Sequence, residues 1–379
     1  MSALKRAMVT MAAAGAASSL LLAAASGAYA QTTTKTPTPF ISHFNTVTVG
    51  PSTVPANGDV NPYGTVVVPR SEGLLQKGDV LVSNFNDSNN VQGTGTTIVQ
   101  VSPSGAVTQF AQINAASLPG SCPGGVGLTT ALTVLSSGWV IVGSLPTNAS
   151  GTPLAGCLIV LDSHGNVRET FSGHGINGPW DMTALDGGGV AQLFVTNVLN
   201  GTVAADGSVA NGGTVLRLLL VIAGNQPPKL VAVTKIGSGF EEQLNQTALV
   251  VGPTGVGLGA NGTLYVADTL NSRIAAIPNA TARLGSDGTG TTVSQGNNLA
   301  GPLGLAIAPG GDILTVNGTN GNIVETTPGG RQVATAVLDN TPTPGLPNGN
   351  GALFGLAVAS GGNGVYFVDD DTNTLNLFS

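Results

Sequence analysis

The groups able to do chemistry are few and scattered. Asn61, Tyr63, Asn177, Trp180, Asp181 and Phe354 fall in segments that lead into strands, where a rigid scaffold displays functional side chains. Trp180 beside Asp181 near the channel mouth stands out: it reads as a plug of the blade interface, with stacking of its indole on an apolar or sugar ligand as the alternative. The oxygens of Asn61, Asn177, Asp181 and Asn197 form a second set, hard ligands that suit Ca²⁺ and hence metal-assisted hydrolysis. Histidine chemistry is poorly served. His43, His164 and His174 are separated in sequence, His164 in a tight turn and His174 in a glycine-rich loop. Runs such as Gly187-Gly188-Gly189 lack the Lys-Ser/Thr of a phosphate-binding loop and read as turns. Asp369-Asp370-Asp371 reads as a solvated turn, with cation binding at a rim as its alternative.

The scaffold that must position these groups is constrained by composition. Only 8% of the 379 residues are charged, 41% are hydrophobic and 56 are glycine. Ordinary globular chains are about 25% charged, yet the apolar content here is too high for a disordered chain. Abundant Val, Thr, Leu, Gly and Asn fit many short strands joined by tight turns. Residues 1–30 read as a signal peptide: Lys5 and Arg6, an Ala/Leu-rich run from Met11 to Ala25, then Ala28-Tyr29-Ala30 as a cleavage site. The run is too alanine-rich for a good bilayer span, so the protein is expected to be periplasmic or secreted. Residues 31–39 read as a flexible lead-in. Without Lys5 and Arg6 the chain holds 10 basic and 19 acidic side chains, a net of −9 with no phosphate-binding footprint. Nucleic acid is excluded. In an oxidising compartment Cys122 and Cys157 are expected to form a disulfide within one repeat unit.

That repeat is visible from Leu264-Tyr265-Val266-Ala267-Asp268, an apolar run ending in a short polar residue. Comparable runs begin at Val80, Val140, Leu193, Ile313 and Val365, and a period near 50 residues marks a radial or stacked repeat. Other apolar runs flank each one, as in Gly304-Leu305-Ala306-Ile307 before and Ile323-Val324-Glu325-Thr326 after. Each unit is thus four antiparallel strands. Four short strands cannot bury both faces of their own sheet, and a closed ring of sheets solves this while protecting edges. The sequence predicts an all-β, six-bladed β-propeller over residues 40–379. Its sixth unit stops at a third strand, so the segment Phe40 to Val49 is expected to close that blade beside Asn373 to Phe378. The insertions at residues 204–213 and 282–296 read as mobile surface loops.

Units four to six resemble the NHL-repeat propeller family. Gly301-Pro302-Leu303-Gly304-Leu305-Ala306 is similar to that family's inner-strand opening, and Leu264 to Asp268 with Asn271, Arg273 and Ile274 to its second strand and turn. The resemblance implies the propeller and leaves function open. The recurring polar residue, Asn84, Ser144, Asn197, Asp268, Asn317 and Asp369, is read as a turn-fastening device rather than a ligand ring.

With no evident catalytic constellation, the expectation is a monomeric, non-catalytic propeller without a cofactor, recognising a protein or carbohydrate through Asn61, Tyr63, Asn177, Trp180 and Asp181. The alternative is a Ca²⁺-type lactonase or esterase at the channel mouth, as in gluconolactonase-like propellers. That family's pattern places a glutamate at an inner-strand start, and this sequence has none there.

Overall fold

Strands such as Val140–Ser144, Cys157–Leu161 and Leu264–Asp268 are buried on both faces, which explains why they read as continuous apolar runs rather than alternating ones. Each belongs to a sheet packed between two neighbouring sheets. In the computed structural model, which describes residues 38–379, there are six such sheets around one axis. The expected signal peptide and most of the lead-in lie outside the described residues.

The inner strands of blades one to six are Val60–Val67, Leu128–Val134, Pro179–Asp186, Pro253–Leu258, Pro302–Ile307 and Leu353–Val358. Each packs beside the next and the last beside the first, so the ring is closed. Five sheets have four strands. Blade three has five, because the strand Lys229–Asn245 turns back through Leu249–Val251. The spans expected to be mobile loops are partly strand: residues 210–213 open the 12-residue strand Ala210–Val221, and Thr291–Gln295 is the outer strand of blade four.

Closure of blade six follows expectation in kind and is shorter in extent. Val47 and Thr48 pair antiparallel with Phe378 and Leu377. The preceding Phe40–His43 is a 3-10 turn rather than strand. Its amides are claimed by blade five instead: Phe40 N and Ile41 N donate to the buried Glu325 carboxylate at 2.7 and 2.8 Å. Cys122 and Cys157 are bonded as expected, their Cα atoms 5.1 Å apart. The bridge ties the loop before blade two's inner strand to the start of its third strand.

The recurring polar residues fasten turns. Asn317, for example, accepts from Ala300 N at 3.1 Å and donates to Asn298 O at 2.8 Å, while Ser144 accepts from Gly127 N and donates to Gly125 O, both at 3.0 Å. All six are at most 4% exposed. They fix the start of each inner strand, because each pairs with a residue there: Pro62, two residues into its strand, or the first residue, Leu128, Pro179, Pro253, Pro302 or Leu353. A register shift follows in all six blades. A bulge bends a strand and re-aims its next side chains, and here it does so six times around the axis.

Candidate active site

The shared register makes the axial lining legible as layers. One position past each of these paired residues stand Tyr63, Thr129, Trp180, Thr254, Leu303 and Phe354. The next position carries Gly64, Thr130, Asp181, Gly255, Gly304 and Gly355. Four blades have glycine there because strands converge tightly: a Cβ on Gly304 would stand 2.0 Å from the carbonyl oxygen of Phe354, and one on Gly355 2.1 Å from that of Tyr63. Thr130 and Asp181 are the side chains in an otherwise bare layer.

The first layer is an aromatic plug. Tyr63 stacks between Phe354 and Phe85 at 4.0 and 4.5 Å, with Trp180 tilted beside it at 6.4 Å. Extended strand from blade three crosses above it. Trp180 Nε1 donates to Val250 O at 3.0 Å, and the Tyr63 hydroxyl donates to Thr247 O at 3.2 Å. Residues 245–251 thus form a lid held by two hydrogen bonds from plug side chains. Tyr63 and Trp180 are each 2% exposed, so neither is displayed to a ligand at this face. Burial raises the tyrosine pKa well above its ordinary value.

Below the plug lies a cavity of about 270 Å³ lined by all six inner strands. Asp181 stands at its inner end. One carboxylate oxygen accepts from Met182 N at 2.7 Å and the other from Val256 N of blade four at 3.0 Å. These amides favour the ionised form, but burial outweighs them and pushes the pKa up to about 7. Thr130 and Thr65 also line the cavity, and their hydroxyls are buried without a hydrogen-bond partner. A carboxyl poised near neutrality at the wall of a cavity can accept and return a proton.

The other sequence-derived candidates do not converge here. Asn61 adopts a left-handed φ of 60° and is buried, its amide donating to Asn373 Oδ1 at 2.7 Å. Asn177 belongs to the blade-three rim, donating to Leu199 O and Asn200 Oδ1 at 2.9 and 2.7 Å. Asn197 fastens that same turn by accepting from Asn177 N. The acidic turn is not simply solvated: burial, then repulsion from neighbouring carboxylates, raises Asp369 to about 6 and Asp370 to about 7. A larger cleft of about 660 Å³ beside the lid is lined by no titratable side chain.

Calcium takes six to eight oxygen ligands, several of them carboxylates. Asp181 is the sole carboxylate lining the axial cavity, and both of its oxygens already accept amides. Among the described residues, no three His, Cys, Asp or Glu side chains are grouped to hold a metal. The residues around Asp181 therefore do not fit a Ca²⁺ site.

No family model matches this sequence, and no curated protein matches it. Solved structures do. The chain is similar to the calcium-binding protein regucalcin from Agrobacterium tumefaciens, at 14% identity over 88% of this chain and 95% of that one, TM-score 0.53. A luciferin-regenerating enzyme gives 12% identity over 88% and 94%, TM-score 0.51. A gluconolactonase from Xanthomonas campestris gives 14% over 84% and 86%, TM-score 0.49. At these identities the likeness establishes the six-bladed propeller. The expectation of a non-catalytic protein is corrected to this extent: a luciferin-regenerating enzyme has this fold over 94% of its length, so the architecture gives no ground for excluding catalysis. That expectation rested on missing histidine and glutamate motifs, and a lone buried carboxylate has no motif to miss.

Proposed function

We propose that this protein is a lactonase- or esterase-like hydrolase working from the axial cavity, with Asp181 as its general base. The observation that carries the reading is the placement of Asp181, a carboxyl in a layer of glycines, facing a cavity and titrating near neutrality. In the step proposed, ionised Asp181 takes a proton from water as the water oxygen bonds to the ester carbonyl carbon. The tetrahedral adduct then expels the alcohol oxygen, which takes the proton back from Asp181. Ester and water become acid and alcohol, and the enzyme is unchanged. The disulfide supports a periplasmic or secreted location, and no described helix is long and apolar enough to cross a membrane.

Initial rates on δ-valerolactone and p-nitrophenyl acetate test the reading. The native protein should turn over one or both, with kcat/KM rising through about pH 7 as the base ionises. Asp181→Asn should lower the rate by about 100-fold or more. Equal rates for the two proteins would overturn the assignment.

A further inference from the structure

We propose that ligands reach Asp181 from the face opposite the lid, and that the site takes a small, uncharged, largely aliphatic ester or lactone. This rests on the assignment of Asp181 above and adds its route and its selectivity.

The route follows from which end of the axis is sealed. On the lid side Trp180, Tyr63, Leu303 and Phe354 are at most 3% exposed, and residues 245–251 lie across them. At the other end the cavity wall becomes progressively exposed. Val67, Leu258, Ile307 and Val358, the last residues of their inner strands, are each partly open to solvent while lining the same cavity. The cavity is therefore a blind funnel, its carboxyl at the closed end.

The ligand class follows from the wall. No lysine, arginine or histidine lines the cavity, so an anion would meet ionised Asp181 without compensation. The mouth is hydrocarbon from Val67, Leu258, Ile307 and Val358, with Thr133 and Thr183 just inside it and the Asp181 carboxyl at the closed end. Such a funnel favours a ligand with its carbonyl end inward and its chain outward. A cavity of about 270 Å³ lies at the small end of ligand sites, which run to about 1,000 Å³.

Chemical labelling reads the route independently of turnover. A water-soluble carbodiimide with glycinamide, at about pH 6 where much of Asp181 is protonated, should amidate Asp181, as scored by peptide mass mapping. Val358→Trp, and independently Ile307→Trp, narrow the mouth and should reduce that labelling about tenfold or more. Thr247→Trp, on the exposed lid, should leave it unchanged. N-Butylacetamide, a neutral stand-in for an ester, should protect Asp181, whereas butanesulfonate should not. Melting curves identify any variant that has lost its fold, and the other mouth variant then decides. An unlabelled native Asp181, labelling indifferent to both mouth variants, loss in Thr247→Trp alone, or protection by the sulfonate would each overturn the proposal. Labelling as expected without hydrolysis would instead overturn the hydrolase reading alone.

Discussion

Stability of this propeller should fall as pH rises through neutrality, and Asp181 should account for a measurable share. In an unfolded chain an aspartate ionises near 3.8, whereas burial holds Asp181 protonated up to about 7. Between those values the folded protein keeps a proton that the unfolded chain has lost. The contribution is therefore intact below the unfolded pKa and is lost as pH rises through the folded one. The full shift corresponds to about 4 kcal/mol, of which about 2.5 kcal/mol falls between pH 5 and pH 8. Urea unfolding followed by tryptophan fluorescence, at those two pH values, gives the difference directly. Asp369 and Asp370 shift in the same direction and should steepen the native dependence. In Asp181→Asn the pH difference should shrink by about 2.5 kcal/mol. The variant also sets an amide NH₂ against Met182 N or Val256 N, a penalty that is the same at both pH values and cancels from the comparison. An unchanged pH difference would refute the claim that Asp181 is buried and protonated at neutrality.

Two further outcomes test the scaffold. Gly304→Ala forces a Cβ onto the Phe354 carbonyl, a backbone atom that cannot step aside, and should cost about 3 kcal/mol by thermal melting, while Gly310→Ala, where a Cβ meets open space, should be nearly silent. Glu325→Ala strips the acceptor from Phe40 N and Ile41 N and should cost about 2–4 kcal/mol with faster hydrogen exchange at Ile41; unchanged exchange would show the carboxylate is dispensable.

Much of the propeller was legible because its signal is repetitive. Six runs like Leu264 to Asp268 report strands buried on both faces, and their terminal Asn, Asp or Ser reports a turn to fasten. The disulfide was legible because Cys122 and Cys157 fall in one unit. The lid was not. Leu249–Val251 looks like any apolar triplet, and nothing local says that it folds back over Trp180 and takes its indole hydrogen. The sequence therefore leaves Trp180 between a blade plug and a ligand platform, and the contact with Val250 makes it the plug. Asp181 was singled out for its neighbour Trp180 and as one of four oxygen ligands suited to a cation, not for its setting. Its setting emerges only when Gly64, Gly255, Gly304 and Gly355 are placed in one layer, and the degenerate blades two and three blur that alignment by sequence. A bulge displaces register by one residue, which is enough to exchange a channel position for a packing position.

The clasp of Val47 and Thr48 on Leu377 and Phe378 also has a kinetic meaning. It joins positions roughly 330 residues apart, and closing so long a chain segment costs about 5 kcal/mol of entropy before any contact repays it. Each blade meander is assembled from neighbours in sequence and can form locally. The ring cannot close until the last strand has emerged, so the clasp is a late event and the blade edges stay open until then. A nascent chain of this kind is most vulnerable to wrong partners in the interval between its last turn and its last two ladder pairs.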